Sequence, residues 1–140
     1  MKIFDCFMYF DEDVVLDVRL NTLNEYVDYF VIVESRFTHR GDKRNLKFNH
    51  QKFKQFKEKI IYITYDEEPD DIVSVNEKDS EAVKSGKYIL NAAKRENGQR
   101  NFISEGIKNA SDNDIILISD VDEIPNLENL NFNFIKEKIL

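Results

Sequence analysis

The sequence predicts an α/β fold, a mostly parallel sheet with helices on both faces. Two observations predict it. Short apolar, β-branched runs alternate with stretches of helical period, the pattern of a parallel sheet wrapped by helices. One of those runs, Asp114-Ile115-Ile116-Leu117-Ile118-Ser119, passes straight into Asp120-Val121-Asp122-Glu123-Ile124-Pro125. Acids just beyond the carboxyl end of a buried strand stand where open α/β sheets bind their ligands.

The first strand is expected at residues 2–9. Ile3, Phe4, Phe7, Met8 and Tyr9 make it too apolar for an edge, so it is placed centrally. Asp5 interrupts that run, either as a polar residue near a site or as a satisfied buried acid. Asp11-Glu12-Asp13 supplies N-cap and first-turn acids for a helix. Leu16, Leu20, Leu23 and Val27 give that helix its apolar stripe. Phe30-Val31-Ile32-Val33 begins a second buried strand, residues 29–34, which ends at Glu34-Ser35.

Residues 36–57 are basic within an acidic chain, with Arg36, Arg40, Lys43, Arg44, Lys47, Lys52, Lys54 and Lys57 against Asp42 alone. Such a segment following a strand end is either a diphosphate-holding patch or a solvated surface. His39 and His50 lie here without further ligands nearby, which argues against a histidine metal site. A third strand is expected at residues 59–63, then an acidic loop around Pro69. Residues 72–88 show no firm period and are expected to be loop with some helix. Residues 91–110 read as a helix carrying Arg95, Gln99 and Arg100, and residues 126–140 as a last helix capped by Asn126.

Composition narrows the function. The 140 residues suffice for one domain with a real core, and 27 acids against 20 bases leave a net charge of -7. That balance argues against nonspecific nucleic-acid binding. The lone Cys6 sits in an apolar run, excludes an internal disulfide and a cysteine zinc site, and is expected to be a buried, inert thiol. No stretch is long enough to span a bilayer, and the first ten residues lack the form of a signal peptide, so a cytoplasmic protein is expected.

The acids after the last strand carry the chemistry. In an extended chain, side chains two apart point the same way, so Asp120 and Asp122 would present carboxylates to one side, about 6–7 Å apart along the backbone. Two hard oxygen donors of this kind suit Mn²⁺ or Mg²⁺. No Gly-x-Gly-x-x-Gly is present, so phosphates would be held by metal and basic side chains instead.

The order of several motifs resembles glycosyltransferase family 17. They are Phe10-Asp11-Glu12, Leu16-Asp17-Val18-Arg19-Leu20, Val27-Asp28-Tyr29-Phe30-Val31-Ile32-Val33-Glu34-Ser35 with Thr38 and Gly41, Arg95-Glu96-Asn97 with Gln99-Arg100-Asn101, and Ile118-Ser119-Asp120-Val121-Asp122-Glu123-Ile124-Pro125. The resemblance covers residues 2 to about 128. It departs from the family at Asp11, where family openings carry Asn. It implies a GT-A fold, a UDP-sugar donor, a glycan acceptor, a divalent metal on Asp120 and Asp122, and transfer with inversion. The donor-binding candidates are Glu34, Arg44, Arg95, Gln99, Arg100 and Asp120. Glu123 is the candidate for a base, with orientation of its own loop or capping of the last helix as its other reading. Members of the family run longer, so the chain is expected to be the N-terminal, donor-binding part of that architecture, with an exposed apolar sheet face and a tendency to self-associate.

Two other function classes answer to the same residues. A noncatalytic nucleotide-sugar-binding module, or an inactive truncated transferase, would bind the donor without turnover. A haloacid-dehalogenase-like phosphatase also uses strand-then-Asp-x-Asp, but places it in its first strand.

Overall fold

The structure, a computed structural model, describes residues 1–132. Four strands form one all-parallel sheet: β1 (Ile3–Tyr9), β2 (Tyr29–Ser35), β3 (Ile60–Tyr65) and β4 (Ile115–Ile118). Their spatial order is β3-β2-β1-β4. The expected α/β architecture and the central place of β1 are thus found. β1 pairs Phe4 with Tyr29 on one side and Ile3 with Ile115 on the other. From β1 the chain builds outward through β2 to β3, then returns to add β4 on the opposite side of β1. The boundary between β1 and β4 is therefore the point where strand order reverses, and a crevice opens there beyond the strand ends.

Alternation along the strands divides the core into two layers. On one face, Phe7, Tyr9, Phe30 and Ile32 pack against α1 (Asp13–Leu23) and against Phe48, Phe53 and Phe56 of the β2–β3 connection. Leu16, Leu20 and Leu23 of α1 are fully buried there, each worth about 1.5–3 kcal/mol of transfer free energy. On the other face, Phe4, Cys6, Val31 and Val33 pack against Ile103 of α3 (Ile103–Gly106), which follows α2 (Glu81–Asn101). Gly106 lies directly on Val31, so close that a Cβ would collide with it. Cys6 is 0% exposed, and burial pushes its thiol up to about 12, which makes it the inert group expected.

Several boundaries differ from expectation. α1 ends at Leu23 rather than Val27, although Val27 still enters the core. α2 begins at Glu81, ten residues before the expected start, with the Ser80 hydroxyl capping Val83 N–H. The first half of that helix is largely solvent-exposed and carries no apolar stripe, so hydrophobic period could not reveal it. The helix expected at residues 126–140 does not start at Asn126. The Asn126 side chain instead accepts Glu128 N–H, and Asn129 turns the chain at φ 65°. The rest of that expected helix lies outside the described residues. Among the described residues no helix is long and apolar enough to cross a membrane.

Candidate functional site

A cleft of about 850 Å³ opens at the β1/β4 boundary. Its floor is Met8 and Tyr9 at the end of β1, with Phe10 just beyond. One wall is the loop after β2, with Thr38, His39, Arg40 and Asp42. The other holds Glu96 and Gln99 of α2 together with Asp120, Val121 and Asp122. Two smaller pockets, about 420 Å³ beside Arg36, Lys43 and Arg44 and about 270 Å³ beside Phe48, His50 and Tyr62, do not include these acids.

The acid segment is not the extended strand end that the i, i+2 argument assumed. β4 stops at Ile118, and residues 120–123 form a tight turn closed by Glu123 N–H to the Asp120 carbonyl at 2.9 Å. Val121 packs into the core at 8% exposure and meets the cleft only at its edge, while the exposed Asp120 and Asp122 on either side of it line the cleft. The turn therefore sets the two carboxylates on one opening by a route other than strand alternation. Glu123 Oε2 accepts Asp120 N–H at 3.1 Å, a bond that braces the turn.

What holds the turn from below is Arg19, a residue absent from the sequence candidates. Its side chain is fully buried beneath the turn. Nη1 donates to the carbonyls of Asp120, Val121 and Glu123 at 2.7, 3.1 and 3.2 Å, and Nη2 to Ser119 Oγ at 2.7 Å. Nε and Nη2 also grip Asp5 at 2.8 and 2.7 Å. Asp5 is thus the satisfied buried acid, one step from the site. The signal was present: Arg19 occupies the buried stripe of α1 between Leu16 and Leu20, where a charge requires a partner.

The basic candidates separate by position. Arg100 lies beside the acids, with Nη2 2.9 Å from Glu96 and 3.4 Å from Asp120 Oδ1. Arg44 is turned inward: it donates to the Ser35 and Phe10 carbonyls, lies over the Phe10 ring at 4.3 Å and pairs with Glu34. Glu34 is fully buried and accepts Lys47 N–H, Phe48 N–H and Tyr62 O–H. Arg95 pairs with Glu68 and donates to the His39 carbonyl, which ties down the cleft loop. Gln99 donates to the Val33 carbonyl at 3.0 Å. Arg40, one of the cations of the basic segment, is exposed on the cleft wall.

The cleft is rich in carboxylates, with Glu12, Asp42, Glu96, Asp120 and Asp122 against Arg40. Glu12 is engaged by the Phe10 and Asp11 N–H groups. Burial, then the hydrogen bond to Asp13, pushes the Tyr9 phenol above its ordinary range, so it remains protonated and donates to Asp13 at 2.5 Å. A phosphate entering such a cleft meets mostly like charge unless a cation accompanies it. Among the described residues no three His, Cys, Asp or Glu side chains gather into a protein-only metal cage. Two exposed carboxylates instead match the way Mg²⁺ is held, by one or two acids with water and phosphate oxygens completing the shell.

Comparison with known proteins adds an independent line. The model of glycosyltransferase family 17 matches residues 1–137. Proteins from Homo sapiens and Rattus norvegicus named beta-1,4-mannosyl-glycoprotein 4-beta-N-acetylglucosaminyltransferase are each 30% identical to this chain over 115 residues, or 79% of it. The Mus musculus protein of the same name is 29% identical over 115 residues. The matched region is 19% of each relative, so the chain spans about a fifth of their length. No solved structure matches the chain significantly.

Proposed function

The chain belongs to glycosyltransferase family 17, and on that premise we propose that it binds a UDP-sugar together with Mn²⁺ or Mg²⁺ as the donor-binding part of an inverting glycosyltransferase. The sugar is N-acetylglucosamine, after the names of its relatives, and the acceptor is a glycan hydroxyl. The observation that carries this reading is the shared opening of Asp120 and Asp122 onto the cleft where strand order reverses.

In this reading Asp120 and Asp122 hold the metal. A bound divalent ion would supply Lewis-acid stabilisation of the departing diphosphate. The chain's own residues do the rest of the donor's handling. Arg100, already beside Asp120, offers a charge-assisted hydrogen bond to a phosphate oxygen. Arg40 adds positive charge from the facing wall. Arg95 and Glu68 fix the loop that forms that wall, and Tyr9 and Phe10 provide its floor. Inversion calls for a carboxylate to take the acceptor's proton. Glu123, braced against Asp120 N–H, serves the shape of the turn.

The test is a thermal-shift panel of nucleotide sugars with and without Mn²⁺, followed by a transfer assay onto a glycan acceptor. UDP-N-acetylglucosamine should raise the melting temperature only with the metal, because a ligand that binds the native state alone stabilises it. Metal-dependent binding without turnover would select the noncatalytic binding module. No shift with any nucleotide sugar in either metal would overturn the donor-binding reading.

A further inference from the structure

We propose that Asp5 and Arg19 are a positioning pair whose task is to shape the Asp120-Val121-Asp122-Glu123 turn for the divalent cation and its diphosphate. The inference rests on the donor-binding reading above and assigns a role to two residues that never touch the ligand.

The geometry uses the whole guanidinium. Arginine has five N–H donors in a fixed plane. Nε and one Nη2 hydrogen meet Asp5 side-on, so the fork is locked to the centre of β1. The other Nη2 hydrogen reaches Ser119 Oγ, and Ser119 in turn donates to the Glu123 carbonyl at 3.0 Å. The two Nη1 hydrogens are shared among the carbonyls of Asp120, Val121 and Glu123. Three carbonyls of a four-residue turn thus point at one cation. With those carbonyls drawn inward and Val121 packed in the core, the Asp120 and Asp122 side chains are left on the cleft side.

Stability alone is a poor account of the pair. Burying two charges costs much of what their attraction returns, and apolar residues of similar volume often serve folding equally well. No apolar pair could collect three carbonyls. A lysine would keep the charge but present three donors from a point, without the planar fork. Asp5 neutralises the guanidinium and fixes its angle, the role that outer partners play for groups facing a metal. The Phe7 ring, 4.5 Å below the guanidinium carbon, closes the remaining side.

The experiment compares Arg19→Lys and the milder Asp5→Asn with Leu23→Ala, which removes a fully buried side chain from the same helix without touching the turn. Amide exchange of residues 120–123 is measured in the free protein, and Mn²⁺-dependent UDP affinity by calorimetry. Exchange at the turn should rise in both positioning variants while the β1 and β2 amides stay protected, and metal-dependent affinity should fall about 10- to 100-fold, the usual effect of losing an outer partner of a metal site. Leu23→Ala should lose stability and change neither. Unchanged turn exchange in Arg19→Lys and Asp5→Asn, or the same change in Leu23→Ala, would overturn the proposal. The exchange data require no nucleotide. A parent chain that fails to bind UDP would therefore remove the donor reading, while the turn data would still decide what Arg19 and Asp5 do.

Discussion

Glu34 and Arg44 meet at 3.0 Å with their side chains 0% and 8% exposed, at the point where β2 gives way to the basic segment. The same carboxylate accepts two backbone N–H groups and the Tyr62 hydroxyl. Glu34→Ala would leave the Arg44 guanidinium without its counter-charge and three other donors without their acceptor, and removing one partner of a buried pair typically costs about 3–5 kcal/mol. Urea denaturation should show a loss of that size. A loss under about 1 kcal/mol, the level of an exposed pair, would mean the charges are solvated.

Gly41 sits at φ +96°, and a Cβ there would lie 2.5 Å from Arg95 Nη2. Gly41→Ala should therefore strain the backbone by about 1–2 kcal/mol. It should also push Arg95 away from Glu68 and the His39 carbonyl. The expected result is a lower melting temperature with faster amide exchange confined to residues 38–42. A variant as stable as the parent would show that this loop does not keep its left-handed turn.

Asp114 binds the start of β4 to the start of β1, accepting Ser111 N–H and Lys2 N–H at 2.8 Å each. Those backbone hydrogen bonds, Ser111 first, hold its carboxyl below the ordinary 3.8. A folded value below the unfolded one gives stability that is complete above the unfolded pKa and fades as pH falls through the folded value. Melting temperature should thus decline below about pH 4, and Asp114→Asn should flatten part of that decline. Asp13 and Asp79 are shifted in the same direction. An identical acid limb in the variant would remove Asp114 from this role.

The sheet was legible because β1 and β2 are largely buried on both faces and so read as predominantly apolar runs, broken in β1 by Asp5. The first half of α2 was not, since an exposed helix imprints no stripe and its only local mark is Ser80. At the cleft, the spacing of Asp120 and Asp122 points to them through a premise that fails, because both line the opening from a turn rather than by strand alternation. Arg44 and Arg95 were selected by charge and closeness in sequence, which say nothing of direction. Both spend their donors on the backbone and on Glu34 or Glu68. Asp5 and Arg19 are fourteen residues apart, each looking like a flaw in an apolar pattern, and only the packing of α1 on β1 joins them.

Asp122 and Arg100 separate binding from folding at the cleft. The Asp122 carboxylate makes no hydrogen bond or ion pair among the described residues and is exposed. Its removal should leave stability within about 0.5 kcal/mol of the parent, as for most surface substitutions. In the proposed reading the same change takes away half of the protein's donors to the metal, so Asp122→Ala should abolish Mn²⁺-dependent UDP binding. Arg100 is 37% exposed, and its contacts with Glu96 and Asp120 are surface pairs of small worth. Losing a charged hydrogen-bond partner of the diphosphate costs about 1.5–3 kcal/mol, or roughly tenfold to a hundredfold in affinity, and Arg100→Ala should show that. Arg95→Ala, whose guanidinium is committed to Glu68 and the His39 carbonyl, should act first on the cleft loop and on melting temperature. Calorimetry with UDP, with and without Mn²⁺, distinguishes the three. If Asp122→Ala binds UDP in Mn²⁺ as tightly as the parent, the metal is not held by this turn, and the two carboxylates share the cleft for some other reason.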